Sequence, residues 1–156
     1  MPIRVMLDTS AIRNLEGDQS LVQELTQPSE HGGVEFVVCR TVSEELWAGN
    51  RCGKGSGTPP IPVTYVSNTV DRVDVMSCDD SIGDGEAFEA HLDSSRASKR
   101  LGDALIADAV RWHADVLVSD DTRSAPHFRR AVPDREIIRL ANLLEWLRDR
   151  PAGVEP

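Results

Sequence analysis

Short apolar runs alternate along the chain with segments in which apolar residues recur at helical spacing. Continuous apolar runs at residues 4–7, 34–39, 116–121 and 137–140 are typical of strands that are buried on both faces. A further extended segment is predicted over residues 63–66. Because strands that alternate with helices usually pair in parallel, the pattern predicts an α/β fold, a three-layer α/β/α sandwich with a central parallel sheet.

The segments between these strands carry the helical signals. Thr41 is followed three residues later by Glu44, which matches a capping box and predicts that a helix begins there. The stretch over residues 50–62 is rich in Gly, Ser and Pro and is predicted to be a loop. Apolar spacing predicts the other helices, from Ser10 onward and over residues 18–27, 83–92, 102–114 and 142–149.

Length and composition indicate one globular domain. The chain has 156 residues, so we expect a single domain over residues 1–150 and a short tail over 151–156. It contains no apolar run near 18 residues, and its N-terminal segment lacks a secretory h-region, so we expect neither a membrane span nor secretion. The three cysteines lack CxxC spacing and are interpreted as reduced thiols of a cytoplasmic protein.

The net charge of −9 restricts the classes of nucleic-acid partner. Proteins that bind nucleic acid mainly by electrostatic attraction usually present a basic face, which this composition argues against. An acidic enzyme can still bind a phosphodiester if divalent cations lie between its carboxylates and the phosphate. The arrangement of the acids along the chain therefore matters more than their number.

Carboxylates follow the predicted strands in several separate segments. In an open parallel sheet the ligand site lies beyond the carboxyl ends of the strands, so these acids are expected to gather at one edge. Close carboxylates repel and raise one another's pKa values, and Mg²⁺ or Mn²⁺ would remove that cost. The pattern predicts a metal-dependent phosphoryl site. The acids concerned are Asp8, Glu44, Glu45, Asp103, Asp120 and Asp121.

Each acid also has a structural interpretation when it is taken alone. Asp8 fits a helix N-cap as well as it fits a metal ligand. Glu44 is better explained by the capping box, whereas Glu45 is not. Asp103 can be a first-turn acid favoured by the helix dipole, and Asp108 is interpreted as solvent-exposed. Asp120 and Asp121 can be turn residues, and Thr9 and Ser10 can cap the following helix, orient Asp8 or contact a phosphate.

Four short segments, in this order, resemble the motifs of the PIN-domain ribonucleases, a family that includes the VapC-type toxins. "VMLDTSAI" resembles the opening strand motif, and "SEELWAG" resembles a Glu-Leu-x-x-Gly element that aligns Glu45. "GDALIADAV" resembles a helix motif that aligns Asp103. In addition to the four, "GDGEAF" resembles an element found ahead of this helix in some branches. "VLVSDDTR" resembles the strand that ends in the last acid, aligning Asp121, with Ser119 in place of the usual Thr and Asp120 at the variable position.

The resemblance implies a PIN-like fold and an endoribonuclease that cuts single-stranded RNA with Mg²⁺ or Mn²⁺. Asp8 and Asp103 would be the central metal ligands, and Glu45 and Asp121 would complete the acidic cluster, partly through water. Asp120, Thr9 and Ser10 are additional candidates at this edge. We expect RNA-backbone contacts from basic residues near the acids, namely Arg96, Lys99, Arg100 and Arg123.

The resemblance also implies partners and leaves alternatives open. PIN toxins usually pair with a small antitoxin, other members process RNA on their own, and dimers are compatible with the family. A catalytically silent PIN-like module that binds RNA or protein is the alternative, although the intact set of four acids argues against it. Aspartyl phosphatases would need an Asp-x-Asp motif, but Ser10 occupies the second acid position. Receiver domains would need an acidic pair after the first strand.

Overall fold

A computed structural model describes residues 1–70, 81–82, 85–95 and 101–150 of the protein. Two of the sequence-based expectations fall outside these ranges: the basic stretch that contains Arg96, Lys99 and Arg100, and the tail over residues 151–156. Within the described ranges, no helix combines the length and the hydropathy that crossing a membrane requires.

Five parallel strands form the central sheet, in the spatial order β3-β2-β1-β6-β7. Strands β1, β2 and β6 contribute side chains that are almost completely buried, as expected for strands covered on both faces. A separate parallel pair joins β4 to β5. The strands are β1 (Ile3–Leu7), β2 (Val34–Cys39), β3 (Thr64–Val66), β4 (Thr69–Val70), β5 (Ser81–Ile82), β6 (Val116–Val118) and β7 (Glu136–Ile138).

Helices cover both faces of this sheet, which confirms the predicted three-layer α/β/α sandwich. Crossovers between parallel strands are almost always right-handed, which puts α1, α2 and α3 on one face; α4, α5 and α6 pack against one another on the opposite face. A 3₁₀ turn, Leu140–Asn142, leads into the last helix. The helices are α1 (Thr9–Glu16), α2 (Gln19–Glu30), α3 (Arg40–Arg51), α4 (Glu86–Ser95), α5 (Leu101–His113), α6 (Ala125–Ala131) and α7 (Leu143–Arg148).

The start of α3 differs from the predicted capping box, which is therefore wrong. The helix begins at Arg40, and its N-cap, Cys39, makes no side-chain capping bond. Thr41 lies inside the helix, where its hydroxyl accepts a hydrogen bond of 2.9 Å from the buried Asn68 side chain. Glu44 forms a salt bridge with Arg40 at 2.8 Å instead of reaching back to a backbone N–H group. A tertiary partner thus replaces the local capping pattern.

The expectation that Asp108 faces solvent is also wrong. This residue is completely buried, because α5 packs against the sheet on one side and against α4 and α6 on others. A second difference is α6, a seven-residue helix that apolar periodicity did not predict because it is short and contains a single large apolar residue, Phe128. The third apolar run, predicted as a strand through Asp121, leaves the sheet after Val118. Residues 119–121 therefore lie in a turn after this strand, and this turn forms part of the site described below.

Candidate acidic site at the carboxyl ends of the strands

The predicted acidic edge lies at the point where the sheet changes winding direction. Strand β1 is followed by α1 on one face, and its neighbour β6 is followed by α6 on the other. A crevice forms between the carboxyl ends of two such strands, and it is the usual ligand position in open α/β sheets. Asp8 leaves β1 at this crevice, and the turn from Ser119 to Asp121 leaves β6 beside it.

Asp8 uses both of its carboxylate oxygens at this position. One oxygen accepts hydrogen bonds from the backbone N–H of Ala11 at 2.9 Å and from the Ser10 hydroxyl at 2.7 Å. The other oxygen accepts a hydrogen bond from the hydroxyl of Ser119, which follows β6. Asp8 is therefore the N-cap of α1, and the expectation that Thr9 or Ser10 caps this helix is wrong.

Thr9 connects the start of α1 to the second predicted acid. Its hydroxyl donates a hydrogen bond to Glu45, which lies in the second turn of α3. The first turn of α5 approaches from the other side, because a Cβ atom placed on Gly102 would lie 3.0 Å from a Glu45 carboxylate oxygen. Glu45 is thereby held between α1 and α5, next to the residue that precedes Asp103.

Ser124 links the other two predicted acids. Its hydroxyl lies 2.8 Å from Asp103 Oδ2 and 3.2 Å from Asp121 Oδ2, so it can donate to either carboxylate. Ser124 is almost completely buried and belongs to the turn that precedes α6. The sequence interpretation missed this residue. Its position three residues after Asp121, before a helix, was the only signal in the sequence that could have identified it.

Asp120 and Asp121 have different partners, although they are neighbours in the chain. The Asp120 carboxylate accepts hydrogen bonds from the Asn14 side chain at 2.6 Å and from the backbone N–H of Leu140 at 2.9 Å. These bonds connect it to α1 and to the 3₁₀ turn. Only Asp121 shares a hydroxyl with Asp103, so the structure brings Asp121 and not Asp120 together with that acid.

Arg123 is the one member of the predicted RNA-binding set that lies in the described part of the chain, and it interacts with an acid of the site. Its backbone N–H and its Nε atom approach one carboxylate oxygen of Asp121, at 2.9 and 3.4 Å respectively. Burial tends to raise the pKa of Asp121, but these bonds, the Arg123 charge and the Ser124 hydroxyl together lower its pKa below the usual value. Asp121 is therefore favoured in its ionised form.

Asp8 and Glu45 have the opposite electrostatic character. Burial is the main reason that the pKa of Asp8 is raised, and the negative charge of Asp103 adds to it against three hydrogen bonds that favour ionisation. Burial likewise raises the pKa of Glu45, with the charges of Asp103 and Asp8 adding to the effect. The Thr9 hydrogen bond and the Arg13 charge oppose that rise. Three carboxylates from three elements therefore repel one another in this crevice.

The side chains around the crevice offer oxygen donors of the type that Mg²⁺ and Mn²⁺ prefer. In the described part of the chain, however, no group of three or more His, Cys, Asp or Glu side chains is positioned to hold a metal ion. Hydroxyl groups instead occupy carboxylate oxygens of Asp8, Glu45 and Asp103. The oxygen donors and the mutual repulsion of the acids fit a divalent cation. To coordinate one together, however, these side chains would have to rotate out of their present hydrogen bonds.

Comparisons with known proteins do not extend the resemblance to the PIN family. No protein-family model matches the chain, and no curated protein is significantly similar to it. The assignment to a function therefore depends on the motifs and on the geometry of the acidic site.

Proposed function

We propose that the protein is a Mg²⁺- or Mn²⁺-dependent endoribonuclease that hydrolyses phosphodiester bonds in single-stranded RNA, similar to the PIN-domain ribonucleases. The observation that carries the proposal is the convergence of Asp8, Glu45 and Asp103 on one crevice, each from a different helix or strand end, through the contacts of Thr9, Gly102, Ser119 and Ser124. Burial is the main reason that the pKa values of Asp8 and Glu45 are raised there, and the neighbouring negative charges add to it. A crevice that gathers like charges at a cost in stability is more easily explained by a cationic ligand than by a structural role.

The side chains of this chain would divide the work at such a site. Asp8 and Asp103 would hold the ion directly, and Glu45 and Asp121 would hold it partly through water. A divalent ion activates water at neutral pH and stabilises negative charge on a phosphate. Asp121, with its lowered pKa, would remain ionised throughout, while Ser124 would keep it oriented toward Asp103.

RNA hydrolysis is tested with purified protein and an unstructured RNA. We expect cleavage in Mn²⁺, loss of cleavage in EDTA, and loss of cleavage in an Asp8→Asn variant. Asp134→Asn is the matched control, because Asp134 is an exposed acid in the loop between α6 and β7 and lies outside the crevice. Cleavage by the Asp8→Asn variant at the wild-type rate would refute the proposal.

The biological role that we propose is that of a cytoplasmic toxin with a small cognate antitoxin. The four motifs support this role because they resemble VapC-type toxins. We expect expression of the protein alone to inhibit growth, and coexpression of the product of a small neighbouring reading frame to restore it. Harmless expression of soluble, active enzyme would instead indicate an RNA-processing role. Size-exclusion chromatography with light scattering tests the proposed homodimer.

A silent PIN-like module that binds RNA or protein is the second candidate. One observation favours it: the described acids are held by hydroxyl groups rather than arranged around an ion position. Such a module would bind RNA or a partner protein in the presence of Mn²⁺ without cutting RNA, whereas the ribonuclease would release cleaved products under the same conditions.

A further inference from the structure

Arg13 forms a second contact between α1 and α3, beside the Thr9–Glu45 hydrogen bond. It lies four residues after Thr9, and Gly49 lies four residues after Glu45, so each pair occupies one face of its helix. A Cβ atom placed on Gly49 would lie 2.5 Å from Nη2 of Arg13 and 3.5 Å from its Cζ. The guanidinium group therefore lies directly on the α3 backbone, one helical turn from Glu45.

Hydrogen bonds from Ser56 to Glu16 hold the loop that follows α3 close to α1, the helix that carries Arg13. Ser56 donates hydrogen bonds to Glu16 from its backbone N–H at 3.2 Å and from its hydroxyl at 2.7 Å. The Lys54 carbonyl oxygen lies 3.1 Å from the same Cβ position on Gly49 that the Arg13 guanidinium approaches. The guanidinium and the Lys54 carbonyl group thus both lie beside the backbone of α3 at Gly49.

Arg13 differs from other arginines near the site because it forms no salt bridge among the described residues. Arg123 forms a salt bridge with Asp121 at 3.4 Å, and Arg139 approaches Asp120 at 3.9 Å. Among the described residues, no side chain or carbonyl group forms a hydrogen bond or salt bridge with the Arg13 guanidinium. Its charge is nevertheless close enough to oppose the rise in the pKa of Glu45.

A guanidinium group presents a planar set of N–H donors that matches the oxygens of a phosphate. We propose that Arg13 binds a backbone phosphate of the RNA beside the acidic site, and that Gly49 provides the surface on which its guanidinium lies. The inference rests on the proposed ribonuclease function, and it identifies a substrate-binding residue that the four motifs do not contain. Arg13 would offset the repulsion between an acidic crevice and a polyanion.

The first experiment measures RNA binding separately from cleavage. Fluorescence anisotropy of a short labelled RNA in EDTA, over a series of KCl concentrations, gives the affinity and its salt dependence. We expect Arg13→Ala to weaken binding about tenfold and to reduce the salt slope by about 0.7, the value for one phosphate contact on a single strand. Arg13→Lys should retain part of the affinity, because it keeps the charge but loses the planar donors.

Cleavage kinetics in Mn²⁺ provide the second measurement. We expect Arg13→Ala to raise KM about tenfold while kcat changes less than about threefold, because a phosphate outside the reacting group is bound equally in the ground and transition states. Arg148→Ala is the matched control. Arg148 is an exposed arginine near the amino ends of the strands, where it lines a separate cavity with Ile3 and Val34.

Gly49→Ala tests independently whether RNA binding depends on the position of the Arg13 guanidinium against Gly49. The added methyl group would displace Nη2, which is the end of a flexible side chain, and would lie 3.1 Å from the Lys54 backbone carbonyl oxygen, so the loop must also shift by a few tenths of an ångström. We therefore expect the fold to survive with a slightly lower stability and a smaller loss of RNA affinity than in Arg13→Ala. In a double-mutant cycle Gly49→Ala should have little effect once Arg13 is alanine, because both substitutions remove the same contact. Circular dichroism and thermal unfolding establish that each variant is folded.

The outcomes separate this inference from the proposed function. Wild-type cleavage with unchanged affinity and KM in Arg13→Ala would overturn the role of Arg13 alone. RNA binding without cleavage would overturn the ribonuclease proposal, and the anisotropy of Arg13→Ala would still decide the phosphate contact. Neither binding nor cleavage by the wild-type protein would overturn both.

Discussion

Two substitutions of Asp8 should separate its structural role from its charge. One carboxylate oxygen caps α1, the other accepts a hydrogen bond from buried Ser119, and the whole group lies near Asp103. Asp8→Asn and Asp8→Ala both remove the charge. Only asparagine retains an oxygen that can cap the helix and a polar group that can meet the Ser119 hydroxyl. Comparison of the two variants therefore isolates the hydrogen bonds.

The difference in free energy of unfolding can be worked from these contacts. Loss of an N-cap side chain costs about 1 kcal/mol. Ser119 is only 3% exposed, and in Asp8→Ala its hydroxyl would have no side-chain partner at position 8, whereas in Asp8→Asn the side-chain NH2 group can donate to the Ser119 oxygen. We expect this difference to be about 1–2 kcal/mol. Asp8→Ala should therefore be less stable than Asp8→Asn by about 2–3 kcal/mol. The charge does not enter this difference, because both variants lack it.

The charge appears instead in the comparison of Asp8→Asn with the wild-type protein. Burial raises the pKa of Asp8 in the folded protein, so the native state binds a proton more tightly than the unfolded chain does. Ionised Asp8 then destabilises the fold above its folded-state pKa. This penalty fades as the pH falls toward the ordinary value of 3.8. Asp8→Asn should therefore equal or exceed wild-type stability near neutral pH and lose that advantage in acid.

Urea unfolding followed by circular dichroism, at about pH 7 and about pH 4.5, measures both quantities. The same samples are assayed for RNA cleavage, which both variants should lack. Equal destabilisation by Asp8→Asn and Asp8→Ala would show that the charge itself stabilises the fold. That result, or an Asp8→Asn effect that does not change with pH, would refute the interpretation of Asp8 as a carboxylate held at an electrostatic cost.

Two further predictions concern the turn after β6. Ser124→Ala should lower cleavage about tenfold, since Asp103 and Asp121 lose their shared hydroxyl, and should lower the free energy of unfolding by about 1 kcal/mol, because this buried hydroxyl hydrogen-bonds to two carboxylates. Initial rates and thermal unfolding check this, and an unchanged rate would contradict it. Asp121→Asn should abolish most cleavage, whereas Asp120→Asn should mainly lower stability, by about 1 kcal/mol, through its bonds to Asn14 and Leu140. The reverse pattern would reassign the fourth acid.

Much of the fold could be predicted because its strands are continuous apolar runs. The segment at residues 34–39 was predicted with the bounds that β2 has, and α5 differs from its prediction by one residue at each end. Both lie in the interior of the sandwich, where burial on several sides demands apolar side chains. A short element such as α6 buries few side chains, so its sequence shows too little periodicity to distinguish it from a loop.

The sequence by itself determined that the chain forms an α/β sandwich and that Asp8, Glu45, Asp103 and Asp121 follow or precede elements that meet at one edge. That much follows from periodicity and from the rule that parallel strands end together. Only the tertiary structure placed Asp121, and not Asp120, on a hydroxyl shared with Asp103, brought Ser124 and Arg13 to the acidic cluster, and made Asp8 an N-cap as well as a member of that cluster. In an irregular turn, neighbouring residues have no fixed periodicity, so the direction of each side chain depends on partners that are distant in sequence.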